Sequence, residues 1–331
     1  MNIILLSGGS GKWLWPLSNE KCSKQFIPIF KNAEGQNESM LQRIYNRIKR
    51  INTGADITIA ASSGQIQKIK EQIGEDVKVC IEPERRDTFP AIVLAVANLY
   101  YNQNKKSNES VVICPVDGCV EDDYFEALEK LNKIAQKSNS NITLMGINPT
   151  YPSEKYGYII PKNNKNISKV SQFKEKPTEE EARKYIKMGA LWNAGIFAFK
   201  IGYILELLHK MIDFKDYDEL YQKYNCLKKT SFDYEVVENE ENVEVMRFDG
   251  KWKDIGTWNT FTESIDSDII GDNVIKEKCD NTHIINELGI PILCMGLKDI
   301  AVVTTENGII VVNKEQSSYI KPHVDKILNK K

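Results

Sequence analysis

Leu6-Ser7-Gly8-Gly9-Ser10-Gly11-Lys12-Trp13-Leu14-Trp15-Pro16-Leu17-Ser18 sets the first constraint on the architecture. It continues an apolar, β-branched run from Ile3 to Ser7 that reads as a buried strand. Gly8, Gly9 and Gly11 then allow backbone N–H groups to approach a phosphate or a base closely. Alone, such a loop is a tight strand-to-helix turn as readily as a phosphate cradle. It lacks the Gly-Lys-Ser/Thr of a P-loop, and no third glycine completes the G-x-G-x-x-G of a dinucleotide site. Pro16, soon after the loop, also fits poorly with the helix that a Rossmann-type oxidoreductase needs there.

Outward from this loop, short β-branched runs alternate with amphipathic ones. Strands are expected at Ile57–Ala61, Val77–Ile81, Ser110–Pro115 and Ile142–Gly146, and helices at Gln65–Ile73, Pro90–Tyr101 and Asp122–Gln136. Ser39-x-x-Gln42 is a capping box ahead of Leu41, Ile44, Tyr45 and Ile48 at helical spacing. The alternation predicts an α/β fold, with a Rossmann-like, mixed but mainly parallel sheet flanked by helices. Ligands of such sheets bind beyond the carboxyl ends of the strands, which singles out the loops Gly8–Trp15 and Pro115–Val120. Gly157–Pro161 and Ile167–Phe173 read as an antiparallel pair, Thr178 caps a helix, and Trp192–Phe199 is a further strand. After Gly271 only short β runs follow, at Thr282–Asn286, Ile290–Met295, Ile300–Thr304 and Gly308–Asn313. They predict a small all-β appendage and then a short basic tail.

With 331 residues, 41% hydrophobic and 27% charged, the chain has the balance of a soluble globular protein. Its 44 basic and 46 acidic residues are interspersed, giving net charge −2 and no basic stripe for a nucleic acid. The first apolar run is too short for a signal-peptide core. Ala91–Tyr101, broken by Asn98, falls short of the about 20 residues that span a bilayer. The expectation is a cytoplasmic protein with no membrane partner. Cysteines 22, 80, 114, 119, 226, 279 and 294 contain no C-x-x-C pair and read as reduced thiols. His209, His283 and His323 show no metal-ligand spacing.

Beyond the loop, Trp15-Pro16-Leu17-Ser18 and Ser23-Lys24-Gln25-Phe26 make the stretch resemble the mannose-1-phosphate guanylyltransferase family, within the sugar-phosphate nucleotidyltransferases. The resemblance recurs in order at Glu82-Pro83-Glu84-Arg85-Arg86-Asp87-Thr88-Phe89-Pro90-Ala91, Pro115-Val116-Asp117, Tyr156-Gly157-Tyr158-Ile159 and Phe173-x-Glu175-Lys176-Pro177. It ends with Trp192-Asn193-Ala194-Gly195, Ser231-Phe232-Asp233-Tyr234 and Trp252-x-Asp254-Ile255-Gly256-Thr257-Trp258.

The resemblance implies the nucleotide-diphospho-sugar transferase fold over residues 1–268. Residues 269–331 would form a partial left-handed β-helix of the kind that mediates homodimer contacts. No fused isomerase domain is expected. The implied reaction is attack by a sugar 1-phosphate, mannose 1-phosphate or a relative, on the α-phosphorus of GTP with release of pyrophosphate, in GDP-mannose and polysaccharide biosynthesis. Catalytic roles fall to Lys24, Asp117 and Lys176, and Asp117 and Asp254 would hold Mg²⁺ through oxygen ligands. Nucleotide contacts are implied for Leu6, Ser7, Gly8, Gly9, Gly11, Lys12, Trp13, Glu82, Arg86, Asp87, Thr88, Pro90 and Ala91. Sugar-phosphate contacts are implied for Gly157, Tyr158, Glu175, Lys176, Asn193 and Gly195. Both reactants are polyanions, so lysines and a metal supply the charge such chemistry needs. Glu82, with Asp87 a second candidate, suits the N–H donors of guanine.

Bland readings stand beside these. Asp117 before Gly118 also reads as a turn aspartate, Lys176 as a surface lysine, and Asn193 as a core amide. Trp13 stands where the family carries an arginine, and an indole cannot replace a guanidinium. That change is expected to cost about a hundredfold in rate, and it frames the alternative of a weak, regulatory homologue that binds nucleotide-sugar. Lys12 is a candidate for the missing charge. Gly118, Asp87 and Ala194 also depart from the family, which points to a sugar related to mannose, such as a heptose or a deoxy-sugar.

Overall fold

The structure is a computed structural model that describes residues 1–9, 13–19, 22–32, 34–265 and 267–328. Its main sheet has nine strands: β1 (Asn2–Leu6), β2 (Asp56–Ser62), β3 (Lys78–Glu82), β4 (Ser110–Pro115), β5 (Ile142–Ile147), β6 (Gly157–Pro161), β7 (Ile167–Lys174), β8 (Leu191–Lys200) and β9 (Val243–Phe248). Their spatial order is β3-β2-β1-β4-β8-β5-β9-β7-β6. The first four are parallel, with Leu6 opposite both Ala60 and Pro115, and Ser62 opposite Glu82. The parallel part of the expected mixed, mainly parallel sheet lies there and stops at β8. That strand runs antiparallel to β4, β5 and β6, so the sheet is mixed. Beyond it β9 is parallel to β5, while β7 is antiparallel to β9 and β6.

The local causes are those the sequence contains. Val111, Val112, Ile113 and Cys114 are all fully buried, as a strand covered on both faces must be. The helices include α1 (Met40–Ile51), α2 (Ile66–Ile73), α3 (Thr88–Tyr101), α4 (Asp122–Lys137), α5 (Glu179–Lys187) and α6 (Ile201–Met211). α3 is apolar on every side because it is enclosed on nearly every side, with Phe89 through Ala97 all buried. The Ser39 box forms reciprocally: Ser39 N donates to Gln42 Oε1 at 3.0 Å, and Gln42 N donates to Ser39 Oγ at 3.2 Å.

The chain divides into two compact units, neither of them continuous in sequence. One contains Met1–Gly8, Tyr45–Val116 and Val120–Trp252, and the other Gly9–Ile44, Asp117–Cys119 and Lys253–Lys331. The first holds the nine-stranded sheet. In the second, Leu14, Trp15, Leu17, Phe30, Trp258, Phe261, Ile285, Val303, Ile320 and Val324 share one core. Trp258 Nε1 donates to the Trp15 carbonyl at 3.3 Å within it.

The C-terminal strands coil in parallel. Val274 lies opposite Ile292 and Ile284 opposite Val302, in each case 18 residues on. Ile300–Thr305 and Gly308–Asn313 then close as an antiparallel hairpin. The C-terminal region is not all β: a 3₁₀ segment at Lys314–Tyr319 leads into a helix at Lys321–Leu328. Eight residues with Val324 as their one buried side chain give too short an apolar pattern to announce a helix. No helix among the described residues is long and apolar enough to cross a membrane. None of the seven cysteines forms a disulfide among the described residues.

Gly146 on β5 marks how closely the sheet is packed. A Cβ there would lie 2.6 Å from Leu191 Cδ1 and 2.7 Å from Val245 Cγ2, on the two strands that flank β5. Gly146→Ala is expected to destabilise the fold by about 1–3 kcal/mol through overpacking. The urea midpoint would fall at unchanged slope.

Candidate active site

In the second unit a lysine and two aspartates meet. Gly118–Val120 and Trp252–Asp254 pair as short strands. Ile255 N donates to the Asp117 carbonyl at 3.1 Å, which draws Asp117 and Asp254 to the same end of the pair. The Lys24 ammonium enters from the 3₁₀ turn Lys24–Phe26. It donates to Asp117 Oδ2 at 3.2 Å and to the Ile255 carbonyl at 2.9 Å, and lies 3.8 Å from Asp254 Oδ1. Burial by itself would lower the lysine pKa. The charges of Asp117 and Asp254 and the bond to Asp117 overcome that, and the net shift is upward, so Lys24 stays cationic. Gly256 makes room for the arrangement: a Cβ there would stand 2.9 Å from Asp254 Oδ2. Ser23 Oγ donates to the Gly9 carbonyl at 3.3 Å and ties the lysine turn to the glycine-rich loop. Trp13 is 37% exposed in this unit. Gly11 and Lys12 lie outside the described residues.

In the first unit the carboxyl ends of β1 to β4 share one edge, as their parallel register requires. Leu6, the buried Ser7, the exposed Gly8 and the buried Glu82 gather along it. Tyr224 OH donates to Glu82 Oε2 at 3.0 Å, and burial raises the pKa of that carboxyl. Asp87 caps α3 with φ +72°, accepting from Thr88 N at 2.7 Å. Thr88 Oγ1 in turn accepts from Phe232 N at 2.9 Å. Arg86 is directed elsewhere: its Nε and Nη2 donate to the Leu227 carbonyl and its Nη1 to Glu84. Pro90 and Ala91 are buried within α3.

Beside this edge lies an acidic cluster. β8 breaks register between Asn193 and Phe197, where Gly195 adopts φ +71°. Asn193 Oδ1 accepts from Gly195 N at 3.2 Å, and its Nδ2 donates to Asp233 Oδ1 at 2.5 Å. Both ends of the amide are therefore engaged by the protein itself. Gly157 pairs with Asn193 across β6 and β8, and a Cβ there would lie 2.4 Å from Glu175 Oε2. Glu175 is 6% exposed. Its Oε1 is 3.2 Å from Lys176 Nζ, while its buried Oε2 has no hydrogen-bond partner among the described residues. Lys176 takes φ +46°, a strained value for a residue with a side chain, before Pro177. The Tyr158 side chain is fully buried, its hydroxyl accepting from Ser153 N and donating to Ser153 O, so it supports the cluster from within.

Two members of these clusters carried no role in the sequence reading. Asp233 sits in a quoted motif whose function was not assigned, and its proximity to Asn193 depends on a contact across 40 positions. Tyr224 had no signal, because its partner Glu82 lies 142 positions away.

The profile of the nucleotidyl transferase family matches residues 2–269. The chain belongs to the nucleotidyl transferase family. As a nucleotidyltransferase it is 28% identical to the mannose-1-phosphate guanylyltransferase of Salmonella montevideo, over 98% of this chain and 73% of that protein. It is 30% identical to the xanthan biosynthesis protein XanB of Xanthomonas campestris, over 98% of this chain and 72% of that one. A solved Thermus thermophilus structure, described as mannose-1-phosphate geranyltransferase, superposes with TM-score 0.81 at 25% identity and covers 98% of each chain. The fold of this nucleotidyltransferase is thus of the nucleotide-diphospho-sugar transferase type.

Glu175 gives the acidic cluster a measurable signature. Burial, then the Asp233 charge, push its carboxyl from 4.5 up to about 7, against the lowering influence of Lys176. A group with a raised folded pKa stabilises the fold below its unfolded value, and that contribution is lost as pH rises through the folded one. Stability should therefore decline from about pH 4.5 to about pH 7 through this residue. In Glu175→Gln that part of the decline is expected to vanish, as read by thermal midpoints of both proteins across the same range.

Proposed function

We propose that the chain transfers GMP from GTP to a sugar 1-phosphate, mannose 1-phosphate or a related sugar such as a heptose phosphate, and releases pyrophosphate. The observation that carries this reading is the convergence of Lys24, Asp117 and Asp254 from three distant segments. In the step itself, an oxygen of the sugar 1-phosphate forms a bond to the α-phosphorus. The bond from that phosphorus to the bridging oxygen breaks, and pyrophosphate leaves with its electron pair. Lys24 supplies fixed positive charge for the phosphoryl group in transit. Lys176 supplies a cation, and the unpartnered Glu175 Oε2 an acceptor, for the sugar phosphate and its hydroxyls.

Mg²⁺ fits the centre in this reading. Asp117 and Asp254 are partly exposed, with side chains 44% and 32% accessible, and present oxygen donors toward one cation. No three acidic, histidine or cysteine side chains form a metal cage among the described residues. That suits an ion that takes one or two carboxylates and completes its shell with phosphate and water. When bound it would neutralise the triphosphate and polarise the attacked phosphorus.

The glycine-rich loop, Glu82 and Asp87 are assigned to the nucleotide, with Arg86 acting through the backbone it holds at Leu227. The setting is the cytoplasm, and the product serves polysaccharide assembly. We also assign residues 269–331 to a partial left-handed β-helix, a reading supported by the 18-residue parallel returns. Ile275, Leu293 and Met295, exposed on adjacent strands, favour a homodimer through that face. Nothing in the relatives supports the regulatory alternative.

Pyrophosphate release should be fastest with GTP among the four common nucleoside triphosphates, cease with a chelator and return with Mg²⁺. Asp254→Asn is expected to lower kcat/KM by about a hundredfold or more. Unchanged turnover in that variant, or a clear preference for another triphosphate, would overturn the corresponding part of the reading.

A further inference from the structure

The glycine-rich loop ends on an indole, which brings no charge to a polyanion. A charge nevertheless stands over it. Lys321, from the far end of the chain, places its ammonium 5.4 Å from the centre of the Trp13 ring. A cation over an aromatic face is held by the ring quadrupole without being neutralised. Three other lysines of this unit have acidic neighbours: Lys253 pairs with Glu263, Lys276 with Asp268, and Lys298 lies near Asp280. Lys321 has no acidic partner among the described residues. Packing fixes both sides of the contact. Ile320 and Val324 bracket Lys321, and they are buried in the same cluster as Leu14, Trp15 and Leu17, which follow Trp13.

We propose that Lys321 is a binding residue for the triphosphate of the nucleotide, held at the glycine-rich loop by the face of Trp13. The proposal rests on the nucleotidyl-transfer reading above. An acidic neighbour would have cancelled the lysine charge, and no neighbour would have left a long side chain to roam. The indole orders the ammonium while leaving N–H donors directed away from the ring for phosphate oxygens.

The test uses the whole chain with Mg²⁺ and each of the four common nucleoside triphosphates, by calorimetry and by pyrophosphate release. Lys321→Gln should weaken binding of the preferred triphosphate and raise its KM about tenfold or more. The KM for sugar 1-phosphate and the unfolding midpoint should stay at wild-type values. Lys321→Arg should retain the affinity, and Trp13→Arg added to Lys321→Gln should restore it by placing a cation on the loop. Unchanged triphosphate affinity in Lys321→Gln, or a loss that Trp13→Arg does not restore, overturns the proposal. A wild-type chain that binds a triphosphate yet releases no pyrophosphate overturns the transfer reading, while the binding measurements still decide Lys321. A chain that binds none of the four overturns both.

Discussion

One ammonium group, that of Lys24, allows two carboxylates to stand together at the end of a strand pair. Asp117 and Asp254 would otherwise repel, and the lysine would otherwise meet the full cost of leaving water. Each supplies what the other lacks, and the Ile255 carbonyl accepts a further hydrogen bond from the lysine. The centre is therefore charge-dense yet satisfied. It also carries one more negative charge than positive, an imbalance that favours a further cation beside the two carboxylates.

The acidic cluster of the first unit follows the opposite logic. Glu175 and Asp233 are both pushed toward their neutral forms, chiefly by burial, although Lys176 stands beside them. Among the described residues, one oxygen of Glu175 has no hydrogen-bond partner. A buried polar oxygen left open is costly. Gly157 and the strained Lys176 backbone shape the cluster: the first leaves space for that oxygen, and the second turns the ammonium back upon its neighbouring carboxylate.

Much of this fold was legible because its causes are local. Ser110–Pro115 reads to the residue, and α3 to within two, since a dense apolar run bounded by turn residues leaves little choice. The Ser39 and Thr178 boxes were visible as capping sequences and form as such. What sequence periodicity lacks is direction and partnership. Nothing in Leu191–Lys200 states that it lies antiparallel beside β4, so the expected mixed, mainly parallel sheet carries more antiparallel pairing than the periodicity announces. The site divides along the same line. Lys24, Asp117 and Asp254 were found through ordered motifs. Arg86, equally prominent there, is spent on the Leu227 carbonyl, a contact across 141 positions that no local pattern records.

The second unit carries that lesson furthest. Its core joins residues near the N-terminus with strands and a helix from the last quarter of the chain, so no single cut in the sequence isolates it. Gly308 shows how close the joining is: a Cβ there would lie 2.7 Å from the Trp15 ring, while Thr305 and Asn307 donate to the Pro16 carbonyl. The segment that reads as the decisive loop is thus shaped by a hairpin almost three hundred positions away. It follows that the C-terminal coil is not an appendage energetically. The hairpin and the helix behind it supply apolar surface against Trp15 and Leu17, surface that the loop would otherwise expose to water. A chain built this way gains a use for charges on its last helix, because the packing that supports the loop also brings them beside it.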